Sequence, residues 1–211
     1  MIQDIITYFV NNGQTYLTYV GQHLSLSIEA LVLACVLALP LAYFSYEKPW
    51  VQQVSTLLTQ GLRVIPSLGI LFILIPFIGV GRLPALIALV ILGIPPILLQ
   101  TIIGFESVSD TLVETALGLG MTKWQLLTKV QLPLALPHLL NGIKLALVEL
   151  IASTTLATYI GAGGLGTLIF TGLGLYRYDL LLIGGGSVAL LSFVSMVVFD
   201  LAIKGVTHDE T

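Results

Sequence analysis

The chain has 211 residues, of which 56% are hydrophobic and only 9% are charged, and its mean hydropathy is +1.02. Because soluble domains carry about 25% charged residues, this composition excludes a domain whose whole surface faces water. A formal net charge of −3, without any basic run, also excludes a nucleic-acid-binding protein. We therefore predict a helical protein that lies in a lipid bilayer and crosses it several times.

Five stretches of the sequence are apolar over a length that can span a bilayer, which takes about 20 residues of helix. They cover residues 24–44, 62–80, 83–105, a fourth stretch that starts near 145 and gives way to the glycine-rich segment 161–166, and 180–203. The expected fold class is therefore all-α integral membrane, with residues 1–211 forming one transmembrane domain. An odd number of spans places the two termini on opposite sides of the bilayer.

The distribution of Lys and Arg predicts the orientation, because these residues are enriched on the cytoplasmic side of membrane proteins. The first of them is Lys48, so the N-terminus is expected outside, and a cleaved signal peptide is not expected because its basic region is missing. With this orientation six of the eight Lys and Arg residues face inward, and only Arg82 and Arg177 face outward. The C-terminus is then expected inside.

Residues 1–20 precede the first span and carry Ile and Phe at helical spacing, interrupted by Asn11, Asn12 and Gly13. This pattern is typical of a short amphipathic helix that lies along the outer face of the membrane. A frayed terminus is the alternative that the sequence leaves open.

The only sizeable polar segment, residues 106–144, lies between the third and fourth spans and is expected in the cytoplasm. Two capping boxes, each a Thr followed three positions later by Glu or Gln, predict two helices in this segment. The first box consists of Thr111 and Glu114, and the second of Thr122 and Gln125.

Glycine and proline residues are expected to end both of these helices. Gly118 and Gly120 provide a left-handed stop for the first, and Pro133 and Pro137 end the second. Small and apolar residues recur every three or four positions, which predicts one apolar face. They are Val113, Ala116, Leu117, Gly120, Trp124 and Leu127. This face fits either the docking of a cytoplasmic partner or a re-entrant hairpin packed under the protein's own spans.

The same loop resembles a known sequence motif. Residues 114–116 (Glu-Thr-Ala), Gly120 and residues 130–133 (Val-Gln-Leu-Pro) are similar, with the same spacing, to the Glu-Ala-Ala…Gly…Ile-x-Leu-Pro loop of ABC importer permeases. Thr115 and Val130 depart from the usual Ala and Ile, and both changes are small. In that family the loop forms coupling helices that sit in a groove of the ATP-hydrolysing subunit. The resemblance implies the type I ABC importer permease fold and assigns the coupling role to Glu114, Ala116, Gly120, Trp124, Leu132 and Pro133.

Motifs on either side of this loop narrow the resemblance to one group of importer permeases. Residues 65–68 (Ile-Pro-Ser-Leu) open the second span, and residues 159–166 (Tyr-Ile-Gly-Ala-Gly-Gly-Leu-Gly) close the fourth. Together with residues 118–122 (Gly-Leu-Gly-Met-Thr), they look like the permease of importers for quaternary-amine osmoprotectants such as glycine betaine, carnitine and choline. The resemblance covers residues 20–203. Permeases of methionine importers share the five-span plan and are the alternative.

The resemblance also implies partners. The chain has no Gly-x-x-x-x-Gly-Lys-Ser/Thr phosphate loop and no soluble segment large enough to capture a substrate. Members of the family work with a second permease subunit, identical or related, with two ATPase subunits and with an extracytoplasmic substrate-binding protein, in the plasma (inner) membrane of bacteria. The chain itself is then expected to hold no catalytic residue, metal or cofactor.

Several residues inside the spans are candidates for a translocation path or gate. Acidic residues in a bilayer are costly and need a partner or a water-filled cavity. Glu29 lies in the first span, and Glu149 lies in the fourth on a face of small residues that includes Ser153. Pro66 and Ser67 interrupt the second span and complete the set of candidates.

Structural ion pairs are the alternative interpretation of these acids, with Arg63 or Lys144 as partners of the glutamates. Asp200 is expected to pair with Lys204, one turn later on the same helix.

Two other function classes are less consistent with the sequence. A secondary transporter that works alone commonly has inverted repeats, whereas this chain shows no internal repeat and five spans do not divide into equal halves. An intramembrane enzyme needs a nucleophile with a base, or a metal cluster. Neither is indicated, because Cys35 is the only cysteine and the three histidines lie far apart.

Overall fold

The structure, a computed structural model, describes residues 1–208, which form helices joined by short connections and no strand. In chain order the elements are α1 (Ile2–Glu47), α2 (Pro49–Val64), α3 (Ser67–Ile78), α4 (Arg82–Glu106), α5 (Asp110–Gly118), α6 (Lys123–Leu126), a π turn (Leu127–Gln131), α7 (Leu132–Ala157), a 3₁₀ turn (Thr158–Ile160), α8 (Gly166–Leu175) and α9 (Tyr178–His208). The predicted all-α class is confirmed.

Four helical stretches in the described part of the chain are long and apolar enough to cross a bilayer: α1, α4, the continuous run Lys123–Ile160 and α9. A fifth crossing exists if α2 and α3, which are bent by 94° at a short break, count as one span. This agrees with the predicted number of about five. The third and fifth predicted spans, 83–105 and 180–203, correspond closely to α4 and α9.

The second predicted span, 62–80, is not one straight helix. α2 ends at Val64, Ile65 has an extended backbone (φ −75°, ψ 122°), and α3 starts directly after Pro66. The cause is local, because the ring of a proline disfavours the helical conformation of the residue before it. The chain therefore turns sharply inside this apolar stretch.

The helices that carry the first and fourth predicted spans start earlier than those spans. α1 begins at Ile2 rather than near residue 24, and its one non-helical residue is Asn12. α7 begins at Leu132 rather than near residue 145, and Pro133 and Pro137, which were expected to end a helix, lie inside it. The helix continues because the π turn shifts the hydrogen-bond register by one residue directly before Pro133, which has no N–H to donate.

The first half of α1 is tied to the C-terminal helices. Tyr8 is buried against residues of α8 and α9, and Tyr16 packs against the same cluster. The Tyr16 hydroxyl also forms a hydrogen bond of 2.8 Å with the Ser187 hydroxyl. That residues 1–20 lie along the outer face of the membrane stays a prediction.

The core forms where α4 packs between α1 and α7. Helices in a bilayer associate through close packing, and small residues allow their backbones to approach. On α1 the contact is a stripe of four fully buried alanines, Ala30, Ala34, Ala38 and Ala42. On α7 it is Gly142, where an added Cβ would lie 2.8 Å from Gln100 Cβ and 3.1 Å from the Pro96 carbonyl oxygen of α4.

We predict that Gly142→Ala destabilises the protein, because the new methyl group would force α7 away from the backbone of α4. Overpacking of this kind costs about 1–3 kcal/mol, and thermal unfolding of the purified protein in detergent measures it as a lower Tm. Gly186→Ala on α9 is the matched control, since an added Cβ there meets nothing within 4 Å. Equal Tm values for the two variants would contradict the close α4–α7 contact.

Candidate functional site

A cavity of about 200 Å³ lies at the break between α2 and α3. We call it the bend cavity, and its lining residues are Leu62, Arg63, Ile65, Pro66, Ser67, Ile91, Leu92, Pro95, Glu149 and Ser153. Four of the five residues predicted to line a path or gate therefore come together: Pro66, Ser67, Glu149 and Ser153. They are distant in the sequence and meet because α2–α3 packs beside α4 and α7.

The break in the second span supplies one wall of the bend cavity, and α4 and α7 supply the other. Glu149 and Ser153 are one helical turn apart on α7, so both face the same space. Arg63 approaches from the last turn of α2. The cavity lining thus combines one guanidinium and one carboxylate, which can offset each other's charge, with apolar side chains such as those of Ile91 and Leu92. Of the partners considered for Glu149, Arg63 is the one that shares its cavity.

Glu29 does not line the bend cavity. Its carboxylate forms an ion pair of 2.7 Å with Arg82, the first residue of α4. Arg82 also donates to the Ser25 hydroxyl at 3.2 Å. The expected pairing of Glu29 with Arg63 or Lys144 is therefore wrong, because the basic residue opposite this face of α1 comes from the start of α4.

The second cation considered as a partner for the glutamates, Lys144, is engaged elsewhere. It forms an ion pair of 2.8 Å with Asp200 and so links α7 to α9. The sequence predicts Lys204, on the same helix, as the partner of Asp200, and it does not indicate this contact between α7 and α9.

The polar segment forms a hairpin of α5 and α6 (residues 109–126), which we call the α5–α6 hairpin. Ser109 caps α5, since its hydroxyl accepts a hydrogen bond from the Leu112 amide at 3.3 Å. The predicted capping box of Thr111 and Glu114 is therefore wrong, and Glu114 lies exposed within α5. The same interaction is available two residues earlier, from a serine that precedes Asp110.

The second predicted capping box is confirmed. The Thr122 hydroxyl accepts a hydrogen bond from the Gln125 amide at 3.3 Å. In return the Gln125 side-chain oxygen accepts one from the Thr122 amide at 2.9 Å. Both orphan donors at the start of α6 are thus satisfied.

The turn between the two helices depends on Gly120. Its φ is +85°, in the left-handed region, while Gly118 is the last residue of α5 and keeps a helical backbone. The Met121 amide then donates to the Ala116 carbonyl oxygen at 3.1 Å, as in a Schellman motif. The left-handed stop predicted for both glycines is therefore made by Gly120 alone.

The predicted apolar face of the hairpin is only partly covered. Ala116 is buried, but Trp124 is 71% exposed and Leu117 is 46% exposed. Leu132, at the start of α7, is also exposed, as is Pro133. In a hairpin packed under the protein's own spans these apolar side chains would be buried, whereas here they are exposed. Exposed apolar groups in one place are typical of a contact with another molecule.

At the end of α7, the glycine-rich segment 161–166 is anchored to α1. Gly161, Gly163 and Gly164 have positive φ, so the chain bends sharply here. The Gln22 side-chain oxygen accepts a hydrogen bond from the Gly164 amide at 3.0 Å. His23, next to Gln22, is fully buried, and its Nε2 forms a hydrogen bond of 2.9 Å with the Ile151 carbonyl oxygen. Sequence reasoning did not assign His23 a role, because one buried histidine has no pattern to reveal it.

Residues 30–208 match the family described as binding-protein-dependent transport system inner membrane component. The chain belongs to this family. Its predicted place as a multi-pass protein of the inner membrane is confirmed by that membership together with the apolar helices of the fold.

Three relatives in this family are named transport permeases. The carnitine transport permease protein OpuCB of Listeria monocytogenes is 44% identical over 190 residues, 90% of this chain and 87% of the relative. The glycine betaine/carnitine/choline transport system permease protein OpuCB of Bacillus subtilis is 34% identical over 206 residues, 98% of this chain and 95% of the relative. The osmoprotectant import permease protein OsmY of Salmonella typhimurium is 35% identical over 185 residues, with 86% and 78% covered.

Solved structures support the same fold. The inward-facing MetNI methionine ABC transporter aligns with a TM-score of 0.83 at 21% identity, over 90% of this chain and 95% of the other. An amino acid ABC transporter with histidines aligns with a TM-score of 0.73 at 18% identity, over 94% and 95%. The predicted type I ABC importer permease fold is therefore confirmed.

We predict that the bend cavity is accessible to water. In a Cys35→Ala background, Ser67→Cys places a thiol on the cavity wall at the first residue of α3, where the helix N-terminus favours the thiolate. It should react with a small methanethiosulfonate reagent at least about tenfold faster than Ser45→Cys, whose side chain is fully buried between α1 and α2. Equal rates would mean that the cavity is closed to solvent.

Proposed function

We propose that this chain is the transmembrane subunit of an ATP-driven importer of quaternary-amine osmoprotectants such as glycine betaine, carnitine or choline. The observation that carries the proposal is the identity of 34–44% to permeases named for these solutes, over 87–95% of their lengths. The methionine transporter is 21% identical. That likeness supports the fold alone, so a methionine importer remains the second candidate.

The proposed partners follow from a family that depends on binding proteins. They are an ABC ATPase, a second permease subunit and an extracytoplasmic substrate-binding protein, and the chain itself is proposed to be non-catalytic. The α5–α6 hairpin is proposed to dock on the ATPase through Glu114, Ala116, Gly120 and Trp124. Leu132 and Pro133 extend this proposed surface. Its support is the motif together with the exposed apolar side chains around Trp124.

An ATPase in the cytoplasm requires the α5–α6 hairpin to face the cytoplasm. We therefore propose the orientation with the N-terminus outside and the C-terminus inside. The distribution of Lys and Arg supports it independently, since Lys123 lies in the hairpin and Lys129 in the π turn that follows it. Lys48 follows the C-terminal end of α1, which contacts the π turn through Tyr46 and Gln131.

The bend cavity is proposed as part of the translocation path. The Glu149 carboxylate can face the permanent positive charge of a quaternary ammonium group, which cannot donate an ordinary N–H hydrogen bond and is stabilised mainly by charge and contact. The positive charge of Arg63, in the same cavity, repels the cation and weakens its binding to Glu149, so that the cation can leave. Pro66 and Ser67, at the 94° break, are the proposed gate residues. Glu29 lies outside this cavity, and we centre the path on the other four residues.

Uptake into proteoliposomes tests the proposal. With ATP inside and the binding protein outside, labelled glycine betaine, carnitine or choline should accumulate even after the proton gradient is collapsed. Glu149→Gln should lower kcat/KM for these cations about tenfold because it removes a facing charge, whereas Glu29→Gln, outside the cavity, should change it less. Uptake that needs the gradient and not ATP would favour a secondary transporter, and uptake of methionine alone would favour the second candidate.

We expect Gly120→Val to abolish ATPase association while expression and membrane insertion persist. A side chain at φ +85° costs about 1–2 kcal/mol of backbone strain, and it would distort the turn that orients Trp124. Glu114→Ala should weaken association less, because it leaves the turn intact. Co-purification of the ATPase in mild detergent is the measurement.

Gly118→Val is the control for this substitution. Gly118 is equally exposed but helical, and an added Cβ meets nothing within 4 Å. ATPase retained to the same extent by Gly120→Val and Gly118→Val would argue against the hairpin as the docking element.

A further inference from the structure

The π turn lies at the junction between the α5–α6 hairpin and α7. Residues Leu127–Gln131 form it, and the helical run is otherwise continuous from Lys123 to Ile160. A π turn inserts one residue into a helix and rotates the part before it relative to the part after it, and such turns are frequent at functional sites. Any movement of the hairpin therefore reaches α7 through these five residues.

Gln131, the last residue of the π turn, is a buried polar side chain in a protein with few polar residues. A buried amide is costly unless it forms a hydrogen bond. Here the Gln131 side-chain nitrogen donates to the Tyr46 hydroxyl of α1 at 3.3 Å. The π turn is thereby joined to a second helix that is distant in the sequence.

Tyr46 lies at a junction of three helices. Its ring stacks on Phe105 in the last turn of α4, with ring centres 5.4 Å apart and an angle of 29° between the planes. The neighbouring Ser45 accepts a hydrogen bond of 3.0 Å from Ser55 of α2. Leu127, the first residue of the π turn, packs against the same aromatic cluster around Phe105. The ends of α1 and α4, the middle of α2 and both ends of the π turn therefore meet here.

This junction is connected to both walls of the bend cavity. Glu149 and Ser153 lie on α7, which continues directly from the π turn. Arg63 lies on α2, two helical turns after Ser55, and α2 is separated from the hairpin in the chain by α3 and α4. The contact between Gln131 and Tyr46 is therefore a point where a shift of the hairpin can act on the α1–α2 side as well as on α7.

We propose that Gln131 is a positioning residue that couples the α5–α6 hairpin to α1 and α2 through Tyr46, so that both walls of the bend cavity move together. The inference rests on the proposed function, because it requires the hairpin to receive its movement from an ATPase. Breaking the contact leaves the docking face and the cavity unchanged. It uncouples ATP hydrolysis from the opening of the α2 wall.

The test compares Tyr46→Phe with Tyr43→Phe in the reconstituted complex with ATPase and binding protein. Both variants remove one hydroxyl and keep a ring that contacts Phe105, but the Tyr43 hydroxyl donates to Glu47 of its own helix at 3.0 Å. We expect Tyr46→Phe to keep ATPase association and ATP hydrolysis, while solute molecules transported per ATP fall about fivefold, roughly the effect of one lost hydrogen bond. Tyr43→Phe should transport as the wild type does.

Three further variants separate positioning from a merely structural role. Gln131→Leu should lower transport per ATP as Tyr46→Phe does, and the double variant that carries both changes should be no worse than either single variant. Gln131→Glu should keep transport per ATP near the wild-type value, because its carboxylate can accept a hydrogen bond from the Tyr46 hydroxyl. Equal transport per ATP for Tyr46→Phe and Tyr43→Phe would overturn this inference alone. A wild-type complex without ATP-driven uptake would overturn the proposed function and this inference with it.

Discussion

The close approach of α4 to α1 and α7 is the constraint on which the rest of the structure depends. Lipid tails are as apolar as the side chains they would replace, so there is no hydrophobic gain from pressing these helices together. Contact must instead come from shape, and small residues provide it. A Cβ at Gly93 of α4 would lie 3.0 Å from Ala34 Cβ of α1, and Gly142 brings α7 equally close to α4. These three helices form a closely packed frame, and α2–α3 packs beside it.

The polar groups of the protein are arranged around this frame. Ser27 and Thr154 share a buried hydrogen bond of 2.9 Å between α1 and α7, so they add specificity to the close contact without leaving an unpaired group. The charged side chains of the frame lie outside this close contact: Glu29 pairs with Arg82, Lys144 pairs with Asp200 of α9, and Glu149 borders the bent pair. The bend cavity lies at that border, because Pro66 breaks the one apolar stretch that does not pack as a straight helix against α4. The position of the cavity is therefore a consequence of one proline beside a closely packed core.

Hydropathy predicted α4 and α9 well because both are long apolar helices whose ends coincide with polar residues or glycine. It could not predict the effect of the other prolines. Pro66 breaks a helix and Pro133 does not, although each follows an apolar residue. The difference is the π turn before Pro133, in which Leu127 and Gln131 contact neighbouring helices. The local sequence pattern also predicted the wrong N-cap for α5: the cap is Ser109, two residues before Thr111.

The sequence predicted which residues line the bend cavity more accurately than it predicted the contacts between helices. Periodicity indicates which residues share one face of a helix, and Glu149 with Ser153 was found in this way. It contains no information about what lies opposite, and the decisive contacts all join residues from different helices. Glu29 meets Arg82, Lys144 meets Asp200, and Gln131 meets Tyr46, each more than 50 positions apart. Buried hydroxyl groups such as those of Ser27 and Thr59 bond a carbonyl oxygen one turn earlier on their own helix, but a larger charged or amide side chain such as Lys144 or Gln131 takes its partner from outside its own turn. It must find one on a neighbouring helix, and each such pair then fixes how two helices are placed against each other.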